Sequence, residues 1–231
     1  SIKIMKKIYF FLIFIFLATS PSFSKNKEIN LPSGCNIQIQ SNNFQEIDKL
    51  KIKKIEVDTH DYRRWTVNSI RIITNPFRFT PEKYRQRFNA SVKVTYENNK
   101  NCIYNARVRH SGDAKDHIAL HDNSIIQSLD IHLNNGNIRG ITRFKLFKPD
   151  TRGILEDVII QSELLRSLKY LAPRSIKVEA RINQAVSTML FQEKASKELL
   201  EFNNRREGPI LEGDQKFFFK LVEKIRASPT N

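Results

Sequence analysis

The sequence predicts an α+β fold, in which a mainly antiparallel sheet carries helices packed on one side. Alternating apolar and polar residues flank an asparagine-rich turn in residues 91–110, which predicts a β-hairpin. Residues 154–173 instead repeat apolar side chains at helical spacing and stop at Pro173. The alternation returns in residues 175–182. This order indicates a helix that packs back onto a sheet, with Asn183 at the following turn.

Shorter runs rich in β-branched and aromatic residues predict further strands. They span residues 51–57, 65–74, 128–133 and 142–147. Gly136 and Gly140 permit a turn between the last two runs.

The carboxyl-terminal part of the chain continues the same mixture of elements. Residues 187–193 are predicted to form the antiparallel partner of the strand at 175–182, and residues 194–202 a short helix. The apolar stretches at 208–213 and 216–224 fit either a strand or a helix.

The first residues have the composition of a secretory signal. Lys6 and Lys7 precede an apolar run at residues 8–18, and Ser22 to Ser24 have the small-x-small form of a cleavage site. The run is short for a bilayer span, which needs about 20 residues. We expect a cleaved signal peptide and export to the periplasm or cell envelope, with an uncleaved amino-terminal membrane anchor as the alternative.

Length and composition predict one globular domain, or one domain with a small extension. The chain has 231 residues, of which 40% are hydrophobic and 27% charged. We divide it into a signal peptide at residues 1–24, a polar amino-terminal arm at 25–50 and an α+β domain at 51–231.

The chain is strongly basic, with a formal net charge of +15. Its basic residues are scattered and lack the interleaved aromatic residues on which nucleic-acid bases stack. Because an exported protein seldom meets nucleic acid, we exclude that partner. We expect instead a protein, a glycan or another acidic polymer, or an anionic membrane surface.

Cys35 and Cys102 are the only cysteines of the sequence. In an oxidising compartment two thiols of one chain form a disulfide readily. We predict a bond that ties the arm to the domain, with two buried free thiols as the alternative.

From Phe88 to Asp214 the sequence resembles the spore-coat protein H (CotH) kinase family. The residues that carry the resemblance are the turn "VRHSGD", the strand "SLDIHL", and above all "LLRSLKYLAPRSIKVEARIN", which is similar to the helix, Ala-Pro-Arg stop and Asn-ending strand of that family. Ser111 stands where the family usually has an arginine. The resemblance implies an atypical-kinase-like lobe that uses ATP and Mg to transfer phosphoryl groups to side chains of envelope or secreted proteins.

Phosphoryl transfer needs cations that hold phosphate and carboxylates that hold the metal or orient the cations. The expected clamp joins a strand lysine to a helix glutamate. The candidate nucleotide-binding residues are Lys145, Lys148, Glu156, Glu163, Glu193, Arg109 and Lys115.

The family places its metal-binding acids in a Trp-Asp-x-Asp type motif beyond the region of resemblance, whereas the one tryptophan here is Trp65. We therefore expect this chain to be the amino-terminal portion of a CotH-like kinase, inactive alone. The alternative is a non-catalytic exported envelope domain that binds a protein or glycan.

A second reading of "HSGDAKDHIALHD" is a metal site. His110, Asp113, His117 and His121 lie close in sequence, and imidazole with carboxylate is a suitable ligand set for zinc or manganese. The motif of a zinc metalloprotease is absent from the sequence, and a Gly-Asp turn often uses its aspartate to bind backbone amides. We expect no metal here and keep the site as the weaker alternative.

Overall fold

The described residues fold around a closed β-barrel. The computed structural model describes residues 35–36, 47, 50–121, 124–211 and 221. They belong to one compact unit, Leu31–Asn231. The predicted signal peptide at 1–24 and most of the predicted arm at 25–50 lie outside the described residues.

Nine strands occur in this part of the chain. They are β1 Ile52–Thr59, β2 Phe88–Tyr96, β3 Asn101–His110, β4 Ile118–His121, β5 Ser124–Gln127, β6 Leu129–Leu133, β7 Arg143–Phe147, β8 Ser175–Ile182 and β9 Ala185–Glu193. The α-helices of the described residues are α1 Tyr62–Thr74, α2 Leu155–Ser167 and α3 Lys197–Phe202. Short 3-10 turns cover Glu82–Tyr84 and Lys115–His117.

Seven strands form the barrel in the order β1-β2-β3-β6-β7-β9-β8. Parallel pairing of β1 with β8 closes it, whereas the other neighbours in the barrel are antiparallel. Strands β4 and β5 form a separate hairpin. The predicted α+β fold, an atypical-kinase-like lobe with helices on one side, is therefore wrong. Alternation predicts a half-buried strand but does not tell which strand lies beside it.

The turn after β8 helps to close the barrel. Asn183 adopts a left-handed backbone conformation, with φ 52°, which asparagine tolerates better than most residues. Its backbone N–H donates to the Val57 carbonyl at 2.8 Å, and its side-chain Oδ1 accepts from the Thr59 backbone N–H at 2.9 Å. The asparagine turn predicted from the sequence thus binds β1 directly.

The predicted strand at 65–74 is a helix, α1. Its β-branched composition suggested a strand, but the buried side chains fall at helical spacing: Trp65, Asn68, Ser69 and Ile72. Asp61 begins the helix, because its Oδ1 accepts from the Arg64 backbone N–H at 3.0 Å. Burial of one helical face therefore outweighs the local strand propensity.

Inward-facing apolar side chains fill the barrel. The rings of Phe144 and Phe191 lie 4.6 Å apart, and the Tyr104 hydroxyl donates to the Asn137 carbonyl at 2.9 Å.

The predicted disulfide between Cys35 and Cys102 is present and joins the arm to β3.

One end of the barrel contains a buried ion pair. The guanidinium of Arg174 donates to both carboxylate oxygens of Glu193, each at 2.8 Å. The ring of Phe202 in α3 lies 3.9 Å from the guanidinium carbon of Arg174. Charge pairing and aromatic stacking thus fix this end of the barrel.

Candidate functional site

The outer surface of β3, β6 and β7 carries two adjacent rows of polar side chains. In an antiparallel sheet, directly opposed residues point to the same face. The register opposes Arg109 to Asp130 and Asp130 to Lys145 in one row, and Arg107 to His132 and His132 to Arg143 in the other.

Flanking residues extend both rows. Phe88 opposes Val108, so Arg87 continues the first row beside Arg109, and Gln192 opposes Lys145 at the other end. Asn89 opposes Arg107 in the second row, and the Lys194 backbone N–H donates to the Arg143 carbonyl at 3.0 Å. We call this surface the basic face. Its members are Arg87, Arg109, Asp130, Lys145, Gln192, Asn89, Arg107, His132, Arg143 and Lys194.

Asp130 organises the cations of the basic face. Its Oδ2 accepts from Arg87 Nη2 at 3.0 Å and from Arg109 Nε and Nη2 at 2.9 and 2.8 Å. Lys194 Nζ lies 3.7 Å from the same oxygen. The carboxylate is buried, with a side-chain exposure of 4%, whereas the cations around it are partly exposed. One buried negative charge therefore holds several positive charges at the surface.

Electrostatics keep Asp130 ionised. Burial alone raises the pKa of this carboxyl, but the charges of Lys194, Arg87 and Arg109 together bring the pKa below its ordinary value. The lowered pKa means that the carboxylate keeps its charge at neutral pH. The ion cluster is therefore a permanent feature of the surface.

The second row is more exposed than the first. Arg107 and Arg143 are exposed, and His132 lies between them. Burial, followed by the charges of Arg143 and Arg87, lowers the pKa of His132 and favours its neutral form. Glu198 contributes a negative charge near Arg143 and accepts from the Thr142 hydroxyl. Two exposed guanidinium groups with fixed backbones can bind carboxylate, sulfate or phosphate by paired N–H donors.

The structure brings together two of the predicted nucleotide-binding residues. Arg109 and Lys145 lie in the same row, on either side of Asp130. Lys115 lies elsewhere: its Nζ donates to the carbonyls of Ile73, at 3.0 Å, and Asn75, at the carboxyl end of α1. A lysine there satisfies carbonyl groups that the helix leaves without partners. Lys148 Nζ donates to the neighbouring Pro149 carbonyl at 2.9 Å.

The predicted glutamates have partners other than the proposed strand lysines. Glu156 pairs with Lys177 on β8, and Glu163 pairs with Arg166 in its own helix, each at 2.7 Å. Glu193 opposes Phe144 and points to the barrel interior. The structure does not bring these glutamates together, because Glu193 faces the barrel interior whereas Glu156 lies on α2 and pairs with Lys177 at the surface.

The candidate metal ligands have other contacts. Asp113 pairs with Arg85 at 2.6 Å, and His117 Nδ1 lies 3.0 Å from the Ser128 hydroxyl. His110 is buried at the end of β3, and His121 ends β4. Among the described residues, no group of three or more histidine, cysteine or acidic side chains is arranged to hold a metal.

Sequence reasoning missed Asp130 and most of the cations around it. The signal lay in the alternation: "RVR", "DIH" and "RFK" each place polar or charged residues at successive outward positions. The basic residues are scattered in the sequence, and antiparallel pairing of three strands gathers them on one surface. Part of the basic face can be predicted if the outward-facing residues of each strand are identified first and the basic residues among them are then compared.

A scan of family models and a search of curated proteins found no match to this chain. No helix in residues 50–121 and 124–211 is long and apolar enough to cross a membrane. The disulfide is compatible with an exported protein, because such bonds persist in oxidising compartments.

Proposed function

We propose that the chain is an exported, non-catalytic domain that binds an acidic glycan through its basic face. The observation that carries the proposal is the convergence of arginine and lysine side chains around the buried Asp130: Arg109 from β3, Lys145 from β7, and the residues that flank β2 and β9, Arg87 and Lys194. The cations are positioned before a ligand arrives, which lowers the entropic cost of binding.

The chemistry of the basic face favours a polymer of acidic sugars. Guanidinium groups bind planar carboxylates by two parallel hydrogen bonds, and the two rows offer repeated sites of this kind. A surface that enters a membrane interface also needs apolar side chains beside its cations. The two rows contain only polar residues, which favours a soluble acidic polymer over a lipid surface.

Export to the periplasm or cell envelope belongs to the same proposal. The leader at residues 1–24 has the pattern of a cleavable signal, and the disulfide fits an oxidising compartment. An envelope contains acidic polysaccharides, so this location would bring the basic face to its ligand. Phosphoryl transfer by a CotH-like kinase stays a prediction from the resemblance, and a closed barrel stands in place of the kinase-like lobe expected for it.

Calorimetric titration with polygalacturonate, a carboxylated glycan, tests the proposal. The Arg107→Gln/Arg143→Gln variant removes two exposed charges from the basic face. Two exposed ionic contacts of about 0.5 to 1 kcal/mol each correspond to a loss of roughly fivefold to thirtyfold in affinity. Affinity of the unaltered protein should also fall as salt is added, because salt screens exposed charges.

The matched control is Lys51→Gln/Lys53→Gln, which changes the net charge equally. Both lysines are exposed, and Lys51 lies beside Glu97, at the opposite end of β2 from Arg87. This control should bind like the unaltered protein. Equal losses in both variants would mean that net charge alone drives binding. Binding to phosphatidylglycerol vesicles without binding to the glycan would replace the proposal by a membrane surface.

A further inference from the structure

A second basic surface lies along helix α1. An open groove of about 600 Å³ runs beside the helix and is bordered on its other side by the 3-10 turn Glu82–Tyr84 and by Gln86. Ligand sites for small molecules commonly have volumes of about 300 to 1,000 Å³. The groove is therefore large enough for one or two sugar units.

The groove has an excess of positive charge. Arg63, Arg64, Arg71 and Lys83 line it, and Asp61 is its acidic member. The Asp61 carboxylate is engaged at the start of α1, where it accepts from the Arg64 backbone N–H at 3.0 Å. The arginines are exposed, with Arg63 and Arg64 in the first turn of the helix and Arg71 about two turns later. A negatively charged ligand would thus meet several cations along the groove and not only the helix amino terminus.

A buried acceptor lies in the same groove. Asn68 lines it and is 4% exposed. The Nδ2 of Asn68 donates to the Tyr84 carbonyl at 2.8 Å, whereas the buried Oδ1 has no hydrogen-bond partner in the structure. A buried acceptor without a hydrogen bond lowers the stability of the protein, because it has lost its contact with water. A hydroxyl donor from a ligand would restore the missing hydrogen bond. This atom favours a ligand that carries hydroxyl groups as well as negative charge.

The groove adjoins the basic face. Gln86 lines the groove and accepts from Arg64 Nη2 at 2.9 Å, and the next residue, Arg87, donates to Asp130 in the basic face. One extended polymer could therefore contact both surfaces across the segment that joins the 3-10 turn to β2.

We infer that the α1 groove is a subsite for two consecutive acidic sugar units of the glycan that the basic face binds. The inference rests on the proposed function and adds recognition of individual sugar units to it. Arg63 and Arg71, about two helical turns apart, bind the carboxylate groups of successive units, and the Asn68 amide accepts from a sugar hydroxyl. The basic face holds the polymer by its repeated charges, whereas the groove distinguishes a hydroxylated acid from other anions.

Separate titrations with a galacturonic acid disaccharide and with polygalacturonate test the inference. The groove variant is Arg63→Gln/Arg71→Gln, the face variant is Arg107→Gln/Arg143→Gln, and the control is Lys51→Gln/Lys53→Gln. All replaced side chains are exposed, and circular dichroism checks that each variant folds. The groove variant should bind the disaccharide about tenfold more weakly, while the face variant and the control bind it like the unaltered protein.

The outcomes separate the two sites. Loss of polygalacturonate binding in the face variant, with no disaccharide binding by the unaltered protein, would overturn the groove subsite and keep the proposed function. Disaccharide binding that the groove variant leaves unchanged would also overturn the subsite. A third outcome is that the groove variant loses disaccharide binding while the face variant binds polygalacturonate like the unaltered protein. This outcome would support the subsite and refute the basic face.

Discussion

Acidification should destabilise the fold through one buried histidine, His110. Its exposure is 2%, and neither ring nitrogen has a hydrogen-bond partner in the structure. Burial, followed by the charges of His117 and Arg85, lowers the pKa of His110 to about 3, an effect that nearby Gln127 only partly opposes. The folded protein therefore keeps this ring neutral over most of the acidic range.

The size of the effect follows from the two pKa values. The unfolded chain binds a proton on His110 below its ordinary pKa of about 6.5, whereas the folded chain does so only near 3. Stability is therefore full above about pH 6.5 and decreases as the pH falls towards 3. Between about pH 7 and about pH 5 the calculated loss is about 2 kcal/mol. Most carboxylates stay ionised over this interval, so they contribute little.

Urea unfolding at the two pH values measures this loss. His110→Phe and His110→Gln remove the titrating ring in an apolar and a polar way, which guards against failure of one variant to fold. When the pH falls from about 7 to about 5, the free energy of unfolding of either variant should decrease by about 2 kcal/mol less than that of the unaltered protein. His60→Gln is the control, because His60 is exposed. An identical pH dependence in the unaltered protein and both His110 variants would show that His110 does not cause the loss of stability.

Two substitutions test the packing of the loop and of the barrel end. Gly112→Ala should lower the free energy of unfolding by about 2 to 4 kcal/mol. The φ angle of Gly112 is +111°, and the new Cβ would lie 2.1 Å from the His117 ring. Arg174→Met should cost about 3 to 5 kcal/mol, because it leaves the buried Glu193 carboxylate without its cation. Urea unfolding at neutral pH measures the loss of stability in both variants.

Each substitution has a matched control. Gly153→Ala shares the positive φ, +71°, but its Cβ meets nothing within 4 Å, so it should cost less than Gly112→Ala. Equal costs would show that contact with the histidine ring contributes nothing. Lys177→Met breaks the exposed pair with Glu156 and should change stability little. A similarly small change for Arg174→Met would contradict the inferred role of the buried pair.

Local patterns predicted much of the secondary structure, because they depend on neighbouring residues. The hairpin of β2 and β3, the helix α2 and the strand β8 follow from alternation, helical spacing and Pro173. Closure of the barrel depends instead on the long-range pairing of β1 with β8, which leaves no local pattern. Helix α1 was mistaken for a strand because its residues are β-branched.

The candidate site was predictable only in part. Arg109 and Lys145 were selected as phosphate-binding residues, and both lie in the basic face. Asp130 was not selected, because a single aspartate in a strand has no recognisable motif. Its role arises from strand register, which sets Arg109 and Lys145 on either side of it.

The most direct test of the basic face is an NMR titration that follows the arginine Nε–Hε signals while polygalacturonate is added. We expect the signals of Arg107, Arg109 and Arg143 to shift together and the shifts to disappear at high salt. Arg181, which is held by Glu56 and Asp58 on β1, serves as the internal reference and should stay unchanged. If the signals of the basic-face arginines stay unchanged while calorimetry still detects binding, the glycan does not bind at the basic face.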